Sequence, residues 1–273
     1  MIEKLKYVEA ISFIREIPTE GHNPLLIIAN DYNAYYIKNT KDRLPAFDII
    51  NEFLCSYLLR LWEINTPPIS AVKLDPVIFQ KEMNHHHQAR YYKNNIAFGS
   101  MEMPDVHEMN SFSEISSASD FKKYKRPIDL IKIALFDIWV ENTDRKPSNP
   151  NILFRYVNDK ISTYAIDHAF TFDAMSYEDL FVKGVSMSFN ENLLQHNAVK
   201  EIIKRMLKDK NFSSSMKEYF YLCIEKSKEN FNEIVDNIPD SLGFSLELQN
   251  ALKAFLFNEN RNNEVFTNFC SRL

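Results

Sequence analysis

The hydrophobic pattern changes period near residue 45. Before it, apolar residues come in short runs and alternations. Residues 7–17 mix apolar and charged positions in strand fashion, and the stretch 18–24, with Pro18, Gly21 and Pro24, breaks them. Residues 25–29 predict a short buried strand, 30–33 a turn and 34–38 a second strand, together a hairpin. From Pro45 the spacing becomes helical: Phe47, Ile50, Phe53, Leu54, Tyr57, Leu58, Leu61 and Trp62 share one face. Thr66, Pro67 and Pro68 end that helix, and residues 71–83 and 95–103 predict further strands.

The second half reads differently. Residues 105–119 are polar and Ser-rich, the pattern of a linker or mobile loop, and Lys122, Lys123, Lys125 and Arg126 after them read as a solvated basic end. Pro127 suits the first position of a helix, and residues 128–140 are apolar on nearly every side, which predicts a buried helix. A polar loop over 141–151 follows, then a strand pair at 152–157 and 163–166. From 191 onward the pattern is helical, interrupted near 237–239 and at Gly243. The expected class is α+β, β-rich first and mainly helical after, with a division at residues 1–103 and 104–273. No internal repeat is visible.

Composition narrows the function. With 273 residues the chain can form one large domain or two small lobes and needs no disulfide or metal to fold. Hydrophobic content of 45% and charged content of 25% exclude a disordered or fibrous chain. The 4 glycines, Gly21, Gly99, Gly184 and Gly243, lie too far apart for a dinucleotide fingerprint or a Walker A loop, which removes Rossmann dehydrogenases and P-loop NTPases. A net charge of -5 gives no expectation of direct nucleic-acid binding. Cys55, Cys223 and Cys270 form no C-x-x-C pair, as expected of reduced thiols in a cytoplasmic protein. The amino terminus does not read as a signal peptide, and no apolar run reaches membrane-spanning length.

The informative chemistry lies in Asp144-Arg145-Lys146-Pro147-Ser148-Asn149 and, one strand pair later, Asp167-His168. Phosphoryl transfer needs a carboxylate near the attacking hydroxyl and side-chain oxygens for the magnesium that bridges the phosphates. Here Asn149 stands five residues after Asp144, and Asp167 follows on the next turn, the spacing of that machinery. Asp144 is the candidate base, Asn149 and Asp167 the metal ligands, and Lys146 the cation for a γ-phosphate oxygen. The same chemistry needs a strand lysine on the phosphates and a helical glutamate to aim it. Lys38 ends its strand and Glu52 lies on the next helix. Gly21, His22 and Asn23 are the candidate phosphate turn, through backbone N–H groups. Backbone groups of Ser100, Met101 and Met103 are the candidate adenine contacts.

On these residues the chain resembles the HipA-like kinases, bacterial serine/threonine-type kinases with a two-lobed protein-kinase-like fold. Residues 20–24, Tyr36-Ile37-Lys38, Asn51-Glu52, residues 142–151 and Ala165-Ile166-Asp167-His168 carry the resemblance, over roughly residues 7–173. The D-R-x-x-x-N loop is also similar to that of phosphoinositide-type lipid kinases. The resemblance implies ATP and Mg²⁺ as cofactors, a protein acceptor with a Ser or Thr hydroxyl, and roles for Lys38, Glu52, Asp144, Asn149 and Asp167 as above. Two departures stand out: the metal turn reads Asp167-His168-Ala169, without a third-position glycine, and residues 18–24 hold no serine, only Thr19. A neutralising or regulatory protein partner is a matter for gene neighbourhood. A pseudokinase binding module and a small-molecule kinase are the alternatives.

Other candidates carry less. His85, His86 and His87 have no acidic or cysteine companion beyond Glu82, so a polar loop is the expectation and a metal site the minor one. Ser186 and Ser188 read as an exposed serine loop after the metal turn.

Overall fold

In the computed structural model the described residues are 2–18, 24–40, 44–75, 77–78, 95–110, 115, 117–172 and 192–273. Five strands close into a barrel: β1 (Lys6–Glu16), β2 (Leu25–Ala29), β3 (Ala34–Lys38), β4 (Ile69–Lys73) and β5 (Ile96–Met101), in the order β1-β2-β3-β5-β4. All pairings are antiparallel except β1 with β4, which closes the ring in parallel. Alternation along β3, with Tyr35 and Ile37 buried, sends one face inward to a small core with Leu25, Ile27, Val72 and Ala97. The expected hairpin is β2 and β3.

The strand expected over 71–83 is shorter. β4 begins at Ile69 and stops at Lys73, because Asp75 turns the chain: its side chain accepts from the Val77 N–H at 2.9 Å and its carbonyl from the Ile78 N–H at 3.1 Å. Val77 and Ile78 are helical.

Gly99 shows how tightly the barrel is packed. A Cβ there would lie 2.5 Å from Val72 Cγ2 and 3.2 Å from the Ser70 carbonyl. Val72 is buried and β-branched and cannot swing aside. Gly99→Ala is therefore expected to destabilise the protein by about 1–3 kcal/mol, read from the midpoint of denaturant unfolding.

Helix α1 (Phe47–Leu61) joins the barrel to the rest, and every residue from Ile49 to Leu59 is buried. Phe53 meets Phe98 of β5 edge-on at 5.0 Å. At the far end Trp62 stacks on Trp139 at 4.9 Å and donates its indole N–H to Ser227 Oγ. Strands β6 (Val106–Glu108), β7 (Ile152–Val157) and β8 (Lys160–Ala165) make a three-stranded antiparallel sheet. The segment expected to be a linker thus contributes β6, and Ser117 caps α2 (Ala118–Lys123) through a capping box with Asp120. The buried helix is α3 (Asp129–Val140). Pro127 sits in the turn ahead of it, where Asp129 pairs with Arg126 at 3.1 Å. Helices α4 (Asn197–Met206), α5 (Phe212–Val235), α6 (Leu246–Leu256) and α7 (Glu259–Ser271) complete the helical part, which shares one core with α1. Among the described residues no helix is long and apolar enough to cross a membrane.

Candidate active site

Three side chains from separate elements meet where the barrel faces the helical part. Lys38, the last residue of β3, places Nζ 2.6 Å from Glu52 Oε1 and 2.9 Å from Asp167 Oδ1. β3 lies between β2 and β5, so its end cannot move without the barrel, and α1 is buried along its length around Glu52. Burial opposes the charge on Lys38, but the two carboxylates outweigh it and its pKa is raised, so the ammonium persists. Burial pushes the Glu52 carboxyl up, while the Lys38 ammonium works against that shift.

The turn after β8 is clamped from α1. Glu52 Oε2 accepts from the His168 N–H at 3.1 Å, and Asn51 Nδ2 donates to the Ala169 and Thr171 carbonyls at 3.1 and 3.2 Å. Asp167 itself takes the left-handed conformation, at φ 58°, whereas Ala169 does not. The positive φ of this turn thus falls two residues before the position where a glycine is usual.

Asp144 lies in the 141–151 loop, half-buried. Its Oδ2 accepts from Asn149 Nδ2 at 3.1 Å and Asn151 Nδ2 at 3.0 Å, and its N–H donates to Asn142 Oδ1 at 3.2 Å. Lys146 and Asn149 exchange backbone hydrogen bonds, both 3.1 Å, across Pro147 and Ser148, which fixes them opposite one another. The Ile166 N–H donates to the Asn151 carbonyl at 3.1 Å, so this loop and the Asp167 turn adjoin.

Arg145, between the candidate base and Lys146, points inward and is fully buried. Its Nε meets Asp137 Oδ2 of α3 at 2.7 Å, and its other nitrogens donate to the carbonyls of Pro150, Asn151 and Ile166 and to His168 Nε2. Burial and the adjacent guanidinium hold the His168 imidazole well below its ordinary pKa. Sequence reasoning assigned no role to Asn51, Asp137, Arg145, Asn151 or His168. The available signal was Asp137, a carboxylate within the otherwise apolar run 133–140, which requires a buried partner.

At the proposed adenine edge, the Met101 N–H donates to the Pro68 carbonyl at 2.8 Å and the Glu102 N–H to the Ala34 carbonyl at 2.9 Å. The Met103 N–H lies beyond these pairs. Gly21, His22 and Asn23, the histidines 85–87, and Ser186 and Ser188 fall outside the described residues. Among the described residues there is no cluster of three or more His, Cys, Asp or Glu that could hold a metal by themselves. What remains is one carboxylate, Asp167, and the Asn149 amide, whose nitrogen donates to Asp144 and whose oxygen is the acceptor. A hard cation that keeps waters and takes phosphate oxygens suits so small a donor set.

A family model described as HipA-like kinase matches residues 11–263. Among solved structures the chain is similar to the Helicobacter pylori proinflammatory kinase CtkA, with a TM-score of 0.57 and 10% identity over 98% of this chain and 97% of that one. It also matches the Golgi casein kinase at a TM-score of 0.45 and 12% identity, over 98% of this chain and 73% of the other. No curated protein matches it in sequence. The CtkA likeness concerns the fold. The family match runs through the barrel, α1, both candidate loops and most of the helical part, and on that match the chain belongs to the HipA-like kinase family.

Proposed function

We propose that the chain is an ATP- and magnesium-dependent phosphotransferase that moves the γ-phosphoryl group to a hydroxyl, with Ser or Thr of a protein as acceptor. In this reading it has two lobes, residues 1–103 holding nucleotide and residues 104–273 carrying the catalytic loops, with nucleotide between them. The meeting of Lys38, Glu52 and Asp167 at 2.6 and 2.9 Å supports it most directly. A buried ammonium flanked by two carboxylates is costly unless both sides are satisfied, and a phosphate oxygen suits the side of Lys38 that Asp167 shares.

Lys38 meets α- and β-phosphate oxygens, and Glu52 holds its direction. Asn149 and Asp167 would hold the magnesium through their side-chain oxygens, and the ion would supply charge neutralisation for the phosphates. Asp144 accepts the proton of the attacking hydroxyl, with Asn149 and Asn151 fixing its orientation, and Lys146 faces the γ-phosphate. Gly21, His22 and Asn23, outside the described residues, are assigned to the phosphate turn, and adenine to the backbone of Ser100, Met101 and Met103, with the Met103 N–H as donor.

Incubation with γ-labelled ATP and Mg²⁺, with and without cell lysate, tests the reading. Label on this chain or on a lysate protein at Ser or Thr is the expected result. Label on a small molecule alone would move the acceptor to a metabolite. Binding of Mg-ATP without any transfer would make the chain a nucleotide-binding pseudokinase.

A further inference from the structure

His168 makes two contacts in opposite directions. Its backbone N–H donates to Glu52 Oε2 at 3.1 Å, and its ring Nε2 lies 2.9 Å from an Arg145 nitrogen. A guanidinium only donates, so the ring nitrogen facing it must be the acceptor. With that bond the two terminal guanidinium nitrogens donate to Pro150, Asn151, Ile166 and His168, while Nε forms an ion pair with Asp137. Asp137 also accepts from Asn142 Nδ2 at 3.1 Å, and Asn142 Oδ1 accepts from the Asp144 N–H. An unbroken chain of contacts therefore runs Lys38–Glu52–His168–Arg145–Asp137–Asn142–Asp144. The imidazole packs edge-on against Phe136 at 6.0 Å, a contact that any ring or branched side chain could fill. Only an acceptor can meet Arg145.

We propose that His168 is a positioning residue: it ties the Lys38–Glu52 pair to the loop that carries Asp144, and so holds Asp167, the proposed metal ligand, in its left-handed conformation. The role rests on the function proposed above. It acts through Asp167 and Arg145, since the imidazole itself is buried at 1% exposure. Losing its acceptor leaves one N–H of a buried cation unpartnered, and the arginine can recover only by pulling on the Asp144 loop or the turn.

The test compares His168→Leu, which keeps bulk without an acceptor, and His168→Gln, which keeps an acceptor oxygen, with the wild type. At fixed ATP, Mg²⁺ is titrated and two readouts are followed on the full chain, the rise in melting temperature and the initial rate of transfer. The leucine variant is expected to need about 10–100-fold more Mg²⁺ for half-maximal effect, the usual size for loss of a group that orients a ligand. The glutamine variant should stay near the wild type. A residue that merely fills space would lower the ligand-free melting temperature of the leucine variant and leave its Mg²⁺ midpoint unchanged, and that result overturns the role. If the leucine variant does not fold, His168→Phe, which keeps a ring without an acceptor, takes its place: a raised Mg²⁺ midpoint supports the role, and a wild-type midpoint in a folded protein overturns it. A wild type without any metal-dependent shift in ATP overturns the nucleotide reading, and the role falls with it.

Discussion

Lys38→Met is expected to lower phosphate transfer by about 10²–10³-fold, the loss typical of one preorganised charge contact to the transition state. Lys38 is the only cation that contacts both Glu52 and Asp167 among the described residues, at 2.6 and 2.9 Å, and methionine leaves those carboxylates facing each other. Breaking a buried pair in this way costs about 3–5 kcal/mol when the remaining charge stays. The stability loss should fall at the low end, since burial already pushes the Glu52 carboxyl towards protonation. Lys38→Arg should also fail, because a planar fork cannot replace a compact ammonium held by two carboxylates so close together. Glu52→Ala should be milder, as Asp167 still holds the ammonium, although the His168 N–H loses its acceptor. Initial rates at saturating ATP beside melting curves for the three variants check this order. A methionine variant with the wild-type rate would make Lys38 a structural residue.

Asp144→Asn is expected to reduce turnover by about 10²–10⁴-fold, the usual size of a lost general base. The fold should survive it. Both amides that face Asp144 donate to one oxygen, Oδ2, and an asparagine can present its own carbonyl oxygen to Asn149 and Asn151. Loss of turnover without loss of nucleotide binding marks an interaction made only in the transition state. Single-turnover rates with bound ATP, measured beside the ligand-free melting temperature, separate that outcome from simple unfolding.

Much of this was legible in the chain. The switch from period two to the helical period at Pro45 placed β3 and α1 in succession, and so Lys38 before Glu52. The Asp144, Asn149 and Asp167 spacing marked the two loops that the backbone bond from Ile166 to Asn151 brings together. Other features were not legible, for reasons of physics. Barrel closure depends on the parallel pairing of β1 with β4, a contact across α1 that no local pattern encodes. β6 was lost in a Ser-rich segment because three residues are too few to show alternation. Arg145, in a run of polar residues, reads as solvated. Its burial depends on Asp137, on loop carbonyls and on a histidine from another element, partners that only the folded chain assembles. The left-handed residue at Asp167 was hidden for a similar reason, since the turn is bonded from Asn51 and Glu52 of α1, partners far away in sequence.

The most direct test of the proposed site is thermal unfolding with and without Mg-ATP for the wild type, Asp144→Asn and Asp167→Asn. Ligand stabilisation follows RT ln(1 + [L]/Kd), so the shift reports nucleotide affinity alone. Asp167 contacts Lys38 and is a proposed metal ligand, whereas Asp144 is the proposed base. The expected result is a full shift for the wild type and Asp144→Asn and a strongly reduced shift for Asp167→Asn. An Asp167→Asn protein that Mg-ATP stabilises as much as it does the wild type would contradict the proposed site.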